Sequence, residues 1–211
     1  MKDVDLKKQT KESIQRFVYG ITFFKEVIDS DPPQFEKLME LSRILDAEPN
    51  EFVIHKGAQD PYLYFLLKGR LIVLPNDNAT NAQALNEINP GELFGAMAMV
   101  TGQARSATIK VHESSKSNLL FAVNFNHFKN INDFSDFTMA TKISFYRLVV
   151  HNIRWTLETN KMKEPNHPLV AKMRQLTLFR GERGTHQELQ SLHQQANELA
   201  AILSEWNSSG R

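Results

Sequence analysis

Between residues 44 and 123 the apolar residues of this chain come in short runs that turn formers interrupt at close intervals, and this cadence narrows the fold more than any other feature. The runs are residues 52–55 (FVIH), 62–67 (YLYFLL), 70–75 (RLIVLP), 82–88 (AQALNEI), 107–112 (ATIKVH) and 118–123 (NLLFAV). Between them stand Lys56-Gly57, Lys68-Gly69, Pro75-Asn76-Asp77-Asn78 and Asn89-Pro90-Gly91. Many short strands at such spacing predict a compact all-β sandwich or roll.

The flanks have a different period. Residues 1–41 read as helical, with Ile14, Phe17, Val18, Ile21, Phe24 and Val27 at three- and four-residue steps; Pro32 and Pro33 break the segment, and Asp31 is the candidate cap of the next helix. Residues 134–163 contain neither Gly nor Pro, and Met139, Ile143, Tyr146, Val150, Ile153 and Leu157 form a heptad seam. Phe137, Phe145, Leu148 and Trp155 lie off that seam, so the helix is expected to pack on two sides, against the β-domain and against a partner helix. A second long helix is expected from Thr185, where Thr185-His186-Gln187-Glu188 has the form of a capping box, and Asn207 to Arg211 are expected to fray. The fold class that follows is α+β: a double-stranded β-helix or jelly-roll-like β-roll with flanking helices and a C-terminal helical extension. The expected organisation is N-terminal helices and roll over 1–133, a hinge or dimerisation helix over 134–163, and a helical oligomerisation or partner-docking segment over 164–211.

The stretch that carries chemistry is PGELFGAMAMVTGQARSAT, residues 90–108. A strand-like lead ends at Gly95, a short helical run follows, and a polar loop delivers Arg105 and Ser106. A glycine before a short helix lets its unpaired N–H groups face an anion. An arginine brought to the same point grips phosphate through parallel charge-assisted bonds, and Ser106 adds a hydroxyl. Taken alone, Arg105 would read as a surface arginine or a structural salt-bridge partner.

The stretch resembles the phosphate-binding cassette of the cyclic-nucleotide-binding domain family, whose usual form is FGE-hydrophobic-A-hydrophobic followed by R-[ST]-A. Residues 51–57 and 64–71 resemble the family's opening strand and its strand pair, with Gly57 and Gly69 matching turn glycines. The resemblance covers about residues 20–160. It implies cyclic AMP or another cyclic nucleotide as ligand, with Gly95, Ala96, Met97, Ala98, Arg105 and Ser106 around its phosphate. The Crp/Fnr branch adds Thr141 and Ser144 as base contacts and a homodimer through the 139–157 helix. One position departs from the pattern: the glutamate that accepts the ribose hydroxyl is Ala96 here. Loss of such a bond, worth about 1.5–3 kcal/mol, weakens binding by roughly ten- to a hundred-fold. Weak or differently contacted cyclic AMP, another ligand such as cyclic di-GMP, and a scaffold that has lost its ligand all stay open. Glu92 matches an acidic position of the preceding strand and does not take the ribose role.

Other classes are disfavoured. The chain has no cysteine, so it has no disulfide and no thiolate metal site. The histidines, among them His55, His112, His127 and His151, are scattered with no H-x-H pair, and no nucleophile elbow or phosphate loop occurs. The expectation is a non-enzyme without metal or resident cofactor. A net charge of +1, and a segment from Thr185 to Trp206 without Lys or Arg, argue against DNA as a partner. That segment is expected to dock a protein instead. No membrane span or secretory leader is expected, which suits the cytoplasm.

Overall fold

The structure is a computed structural model that describes residues 1–3 and 11–209. The chain divides into two compact units, residues 1–126 and 127–211.

In the first unit β1 (Lys2–Asp3) precedes three helices, α1 (Lys11–Val18), α2 (Thr22–Ser30) and α3 (Pro32–Glu40). Eight strands follow: β2 (Ser42–Ala47), β3 (Phe52–Ile54), β4 (Tyr62–Lys68), β5 (Leu71–Leu74), β6 (Asn86–Ile88), β7 (Leu93–Phe94), β8 (Thr108–Val111) and β9 (Asn118–Asn124). One short helix, α4 (Ala96–Thr101), lies between β7 and β8. The strands build two antiparallel sheets, β1-β2-β9-β4-β7 and β3-β8-β5-β6. This is the β-roll that the cadence of short runs predicts.

The long apolar runs are explained by strands buried on both faces. Tyr64 and Leu66 of β4, with Leu120 and Ala122 of β9, join Leu45, Ile54, Leu71, Phe94 and Val111 in the inter-sheet core. Phe65 and Phe121, on the opposite face of the same strands, meet the ring of Phe24 from α2 edge-on at 4.8 and 5.1 Å.

Several local expectations are corrected. Lys2 and Asp3 are strand rather than helix, paired with Asp46 and Leu45 of β2. Arg43 fixes this edge by donating to both carboxylate oxygens of Asp3, at 2.9 and 2.6 Å. A two-residue strand is decided by its partner, which local periodicity does not report. The expected helicity of residues 4–10 lies outside the described residues. Asp31 occupies the cap position of α3, but its side chain makes no capping bond. The run 82–88 is strand only from Asn86, after a 3-10 turn over Asn81–Gln83. His55 and His112, the last residues of two predicted runs, fall just beyond β3 and β8. A short helix, α5 (Asn126–Lys129), follows β9 and carries His127.

The second unit holds α6 (Met139–Lys163), α7 (Leu169–Gln175) and α8 (His186–Ser209). Thr138 caps α6, its hydroxyl accepting from Thr141 N at 3.3 Å. α6 packs on α8 within the same chain. Tyr146 of the heptad seam meets His193 edge-on at 5.4 Å, and Arg147 donates to Oε1 of the buried Glu188 at 3.0 and 2.6 Å. The capping box is shifted by one residue. Thr185 Oγ1 accepts from Glu188 N, but Glu188 Oε2 accepts from Gly184 N at 2.7 Å. Asn207 to Ser209, expected to fray, continue α8; Gly210 and Arg211 lie outside the described residues. Among the described residues no helix is long and apolar enough to cross a membrane.

Candidate functional site

β7 is paired with β4 through Phe94 and Leu93, opposite Tyr64 and Phe65. The chain then turns into α4 through Gly95, which sits in the left-handed region (φ 82°, ψ −1°). A residue with a side chain would be strained there, and a Cβ at this position would lie 2.7 Å from Nη1 of Arg105. The glycine is required both by the turn and by the guanidinium. Ala96 and Ala98 of α4 are buried and Met97 is half-buried.

Arg105 is anchored at its backbone as well as its tip. Its N–H donates to Ala58 O at 3.0 Å, and its carbonyl accepts from Gly57 N at 2.8 Å. The side chain is only 2% exposed. Nε donates to Asp60 Oδ2 at 3.1 Å, Nη2 to Asp60 Oδ1 at 2.6 Å and to Tyr62 O, and Nη1 to Gly95 O at 2.8 Å. The guanidinium also lies 5.9 Å from the ring of Tyr64, in cation–π range. Of its five N–H donors four are therefore engaged; one, on the nitrogen that faces Gly95, has no partner among the described residues.

Asp60 is the residue that sequence reasoning missed. Its carboxylate takes both arms of Arg105, and Oδ1 also accepts from Tyr62 N at 3.1 Å and the Tyr64 hydroxyl at 3.4 Å. Burial, first, and the Asp60 charge push the Tyr64 phenol well above its usual range, so it stays protonated as a donor. The available signal was Asp60-Pro61 at the turn into β4, but an acidic turn residue is common and the partner lies 45 positions away. Ser106 is half-buried next to Arg105. Glu92 stays local: its Oε2 accepts from Asn89 N at 3.1 Å.

Gly95, Ala96, Met97, Ala98, Arg105 and Ser106 are thus all in the first unit, and Arg105 touches Gly95 directly. Thr141 and Ser144 belong to the second unit, on α6. Thr141 is buried, its hydroxyl 3.1 Å from that of Thr138.

Two antiparallel sheets, a glycine-led helix and a buried arginine against that glycine define a β-roll of the cyclic-nucleotide-binding type. Residues 44–130 match the family model described as "Cyclic nucleotide-binding domain", and that segment is a domain of this family. Among curated relatives, "Neuropathy target esterase sws" of Drosophila grimshawi is 33% identical over 84 residues, 35% of this chain and 6% of the relative. The Drosophila melanogaster protein of the same name is 33% identical over 90 residues, 39% of this chain and 6% of its own. The chain therefore spans about 6% of the length of the curated relatives it matches. Among solved structures, a protein from Geobacter metallireducens GS-15, described as a candidate cyclic nucleotide-binding protein, aligns with a TM-score of 0.52 at 13% identity, over 70% of this chain and 98% of that one. The regulatory domain of Toxoplasma gondii PKA with cAMP aligns with a TM-score of 0.47 at 12% identity, over 74% and 51%.

Proposed function

We propose that this chain is a regulatory module whose β-roll receives the phosphodiester of a cyclic nucleotide, cyclic AMP or a close analogue, between the start of α4 and Arg105. One observation carries the reading: the guanidinium is held against Gly95, with its remaining N–H on the nitrogen that faces the glycine. Asp60 neutralises the charge of Arg105, and Ala96 offers no carboxylate to a ribose, so the expected affinity is low. Isothermal titration of the folded chain with cyclic AMP, cyclic GMP and cyclic di-GMP tests this. Saturable heat with one of the first two supports it, heat only with cyclic di-GMP redirects it, and no heat with any of the three removes it.

The second reading is a scaffold that keeps the fold without a ligand, and the closed Arg105–Asp60 pair favours it. If Arg105→Ala left cellular function intact while the interactions of the second unit were needed, this reading would replace the first.

Signal transmission through a homodimer of α6, in the cytoplasm, belongs to the proposal. Tyr146 of the seam is occupied by α8, so the face offered to a second copy is the one with Trp155 (62% exposed) and Met162 (69% exposed), two helical turns apart. Light scattering coupled to size exclusion checks it. A dimer that Trp155→Glu converts to monomer is expected; a monomeric parent chain excludes this route.

A further inference from the structure

The connector between α7 and α8 presents an unusual backbone. Leu176 leaves α7 in extended conformation (φ −63°, ψ 122°), and the chain runs on to Arg180 without helix, turn or bend. Loops in the roll close on themselves or on neighbours, as Gly91 N does on Leu66 O at 2.7 Å. By contrast, among the described residues no backbone N–H or carbonyl from Leu176 to Gly181 enters a hydrogen bond. A non-helical segment whose backbone donors and acceptors have no partner within the chain offers them to a neighbouring strand, as the edge of a sheet does.

Side chains and charge define what fits beside it. Residues 175–180 line a groove of about 650 Å3, with Ser191 of α8 also on its wall. Leu178 is 58% exposed there, and the ring of Phe179 is folded back over Gly181. Arg174, Arg180 and Arg183 are exposed and form no ion pair among the described residues. Lys172, by contrast, is already neutralised by Glu205 at 2.7 Å. Three unpaired arginines against the single carboxylate of Glu182 leave this edge positive.

We propose that Leu176–Arg180 is a docking edge for an extended acidic peptide segment of a partner protein, which adds to it as a β-strand. Main-chain bonds supply affinity, the groove takes alternate side chains, and the arginines select for acid. A second copy of the same segment is the poorer occupant, because it brings its own Arg180 and Arg183 into like-charge contact. The proposal does not depend on nucleotide binding by the roll.

The test uses the full chain and fluorescence anisotropy. The probe is a fluorescein-labelled peptide of alternating valines and threonines flanked by glutamates. Three controls accompany it: a lysine-flanked counterpart, a version N-methylated on alternate residues, and an unlabelled single-stranded oligonucleotide as competitor. Saturable binding of the acidic peptide is expected, weakened about tenfold or more by N-methylation, which removes main-chain hydrogen bonds without touching the protein. The pair Arg180→Glu and Arg183→Glu should weaken it similarly, with unchanged helical circular dichroism. No saturable binding, or equal affinity for the N-methylated or lysine-flanked peptide, overturns the proposal. So does displacement of the peptide by the oligonucleotide at lower concentration than by unlabelled peptide, which would mark a phosphate surface.

Discussion

Replacing Asp60 by asparagine isolates the contact on which the site is built. Asparagine preserves shape and one carbonyl acceptor but removes the charge, so a guanidinium 2% exposed is left without its counter-ion. Breaking a buried pair from one side costs about 3–5 kcal/mol. Asp60 is 31% exposed, so water screens part of the loss, and a destabilisation of about 2–3 kcal/mol is expected. For a chain of this length about 1 kcal/mol lowers Tm by about 2–4 °C, which sets the drop at about 4–12 °C. The two tryptophans, Trp155 and Trp206, are both in the second unit, so their fluorescence is silent on the roll. Calorimetry or far-ultraviolet circular dichroism is the assay of choice. Adding cyclic AMP gives the second half of the experiment. If its phosphodiester takes the place of the carboxylate, saturating nucleotide raises the Tm of Asp60→Asn more than that of the parent, because it restores the missing negative charge to the native state alone. A variant that melts within about 1 °C of the parent would refute the energetic argument. Equal nucleotide shifts in both proteins would refute competition at Asp60.

Gly95→Ala introduces a Cβ 2.7 Å from Arg105 Nη1 at φ 82°, and a loss of about 2 kcal/mol or more is expected in urea unfolding. Ala96→Glu restores the carboxylate of the family pattern and should tighten cyclic AMP by about ten- to a hundred-fold in calorimetric titration; a folded variant that binds no better shows that residue 96 does not meet a ribose. Burial pushes the His193 imidazole below its ordinary value, so the native state favours the neutral ring. Its contribution is complete above the unfolded value of about 6.5 and is lost progressively as pH falls from there through the lower folded value. Thermal melts at about pH 7.5 and 5.5 should therefore differ less in His193→Gln than in the parent.

The roll was legible because each of its longer strands carries its own pattern and each break carries a glycine or proline. The cassette was legible for a similar reason: Gly95 and Arg105 lie ten residues apart in one contiguous motif. Asp60 was not, since nothing local tells an acidic turn residue that its partner is a buried arginine from a distant loop. The seam on α6 was legible as a seam, but periodicity is the same whether the covering helix is a second copy or the chain's own α8. The non-helical path after Leu176 was not legible, because a short apolar run after a helix looks like the helix's continuation until its dihedrals are known.

Phe24 has a consequence for how the roll can be handled. Its ring is wedged onto Phe65 and Phe121, and all three are fully buried. A fragment trimmed to the stretch that matches the family, residues 44–130, would strip these two rings of their cover and present an apolar sheet face to water. The stretch recognisable by kinship thus leaves out the helix that covers this face, and a fragment of the roll that begins upstream of α2 keeps Phe24 in place.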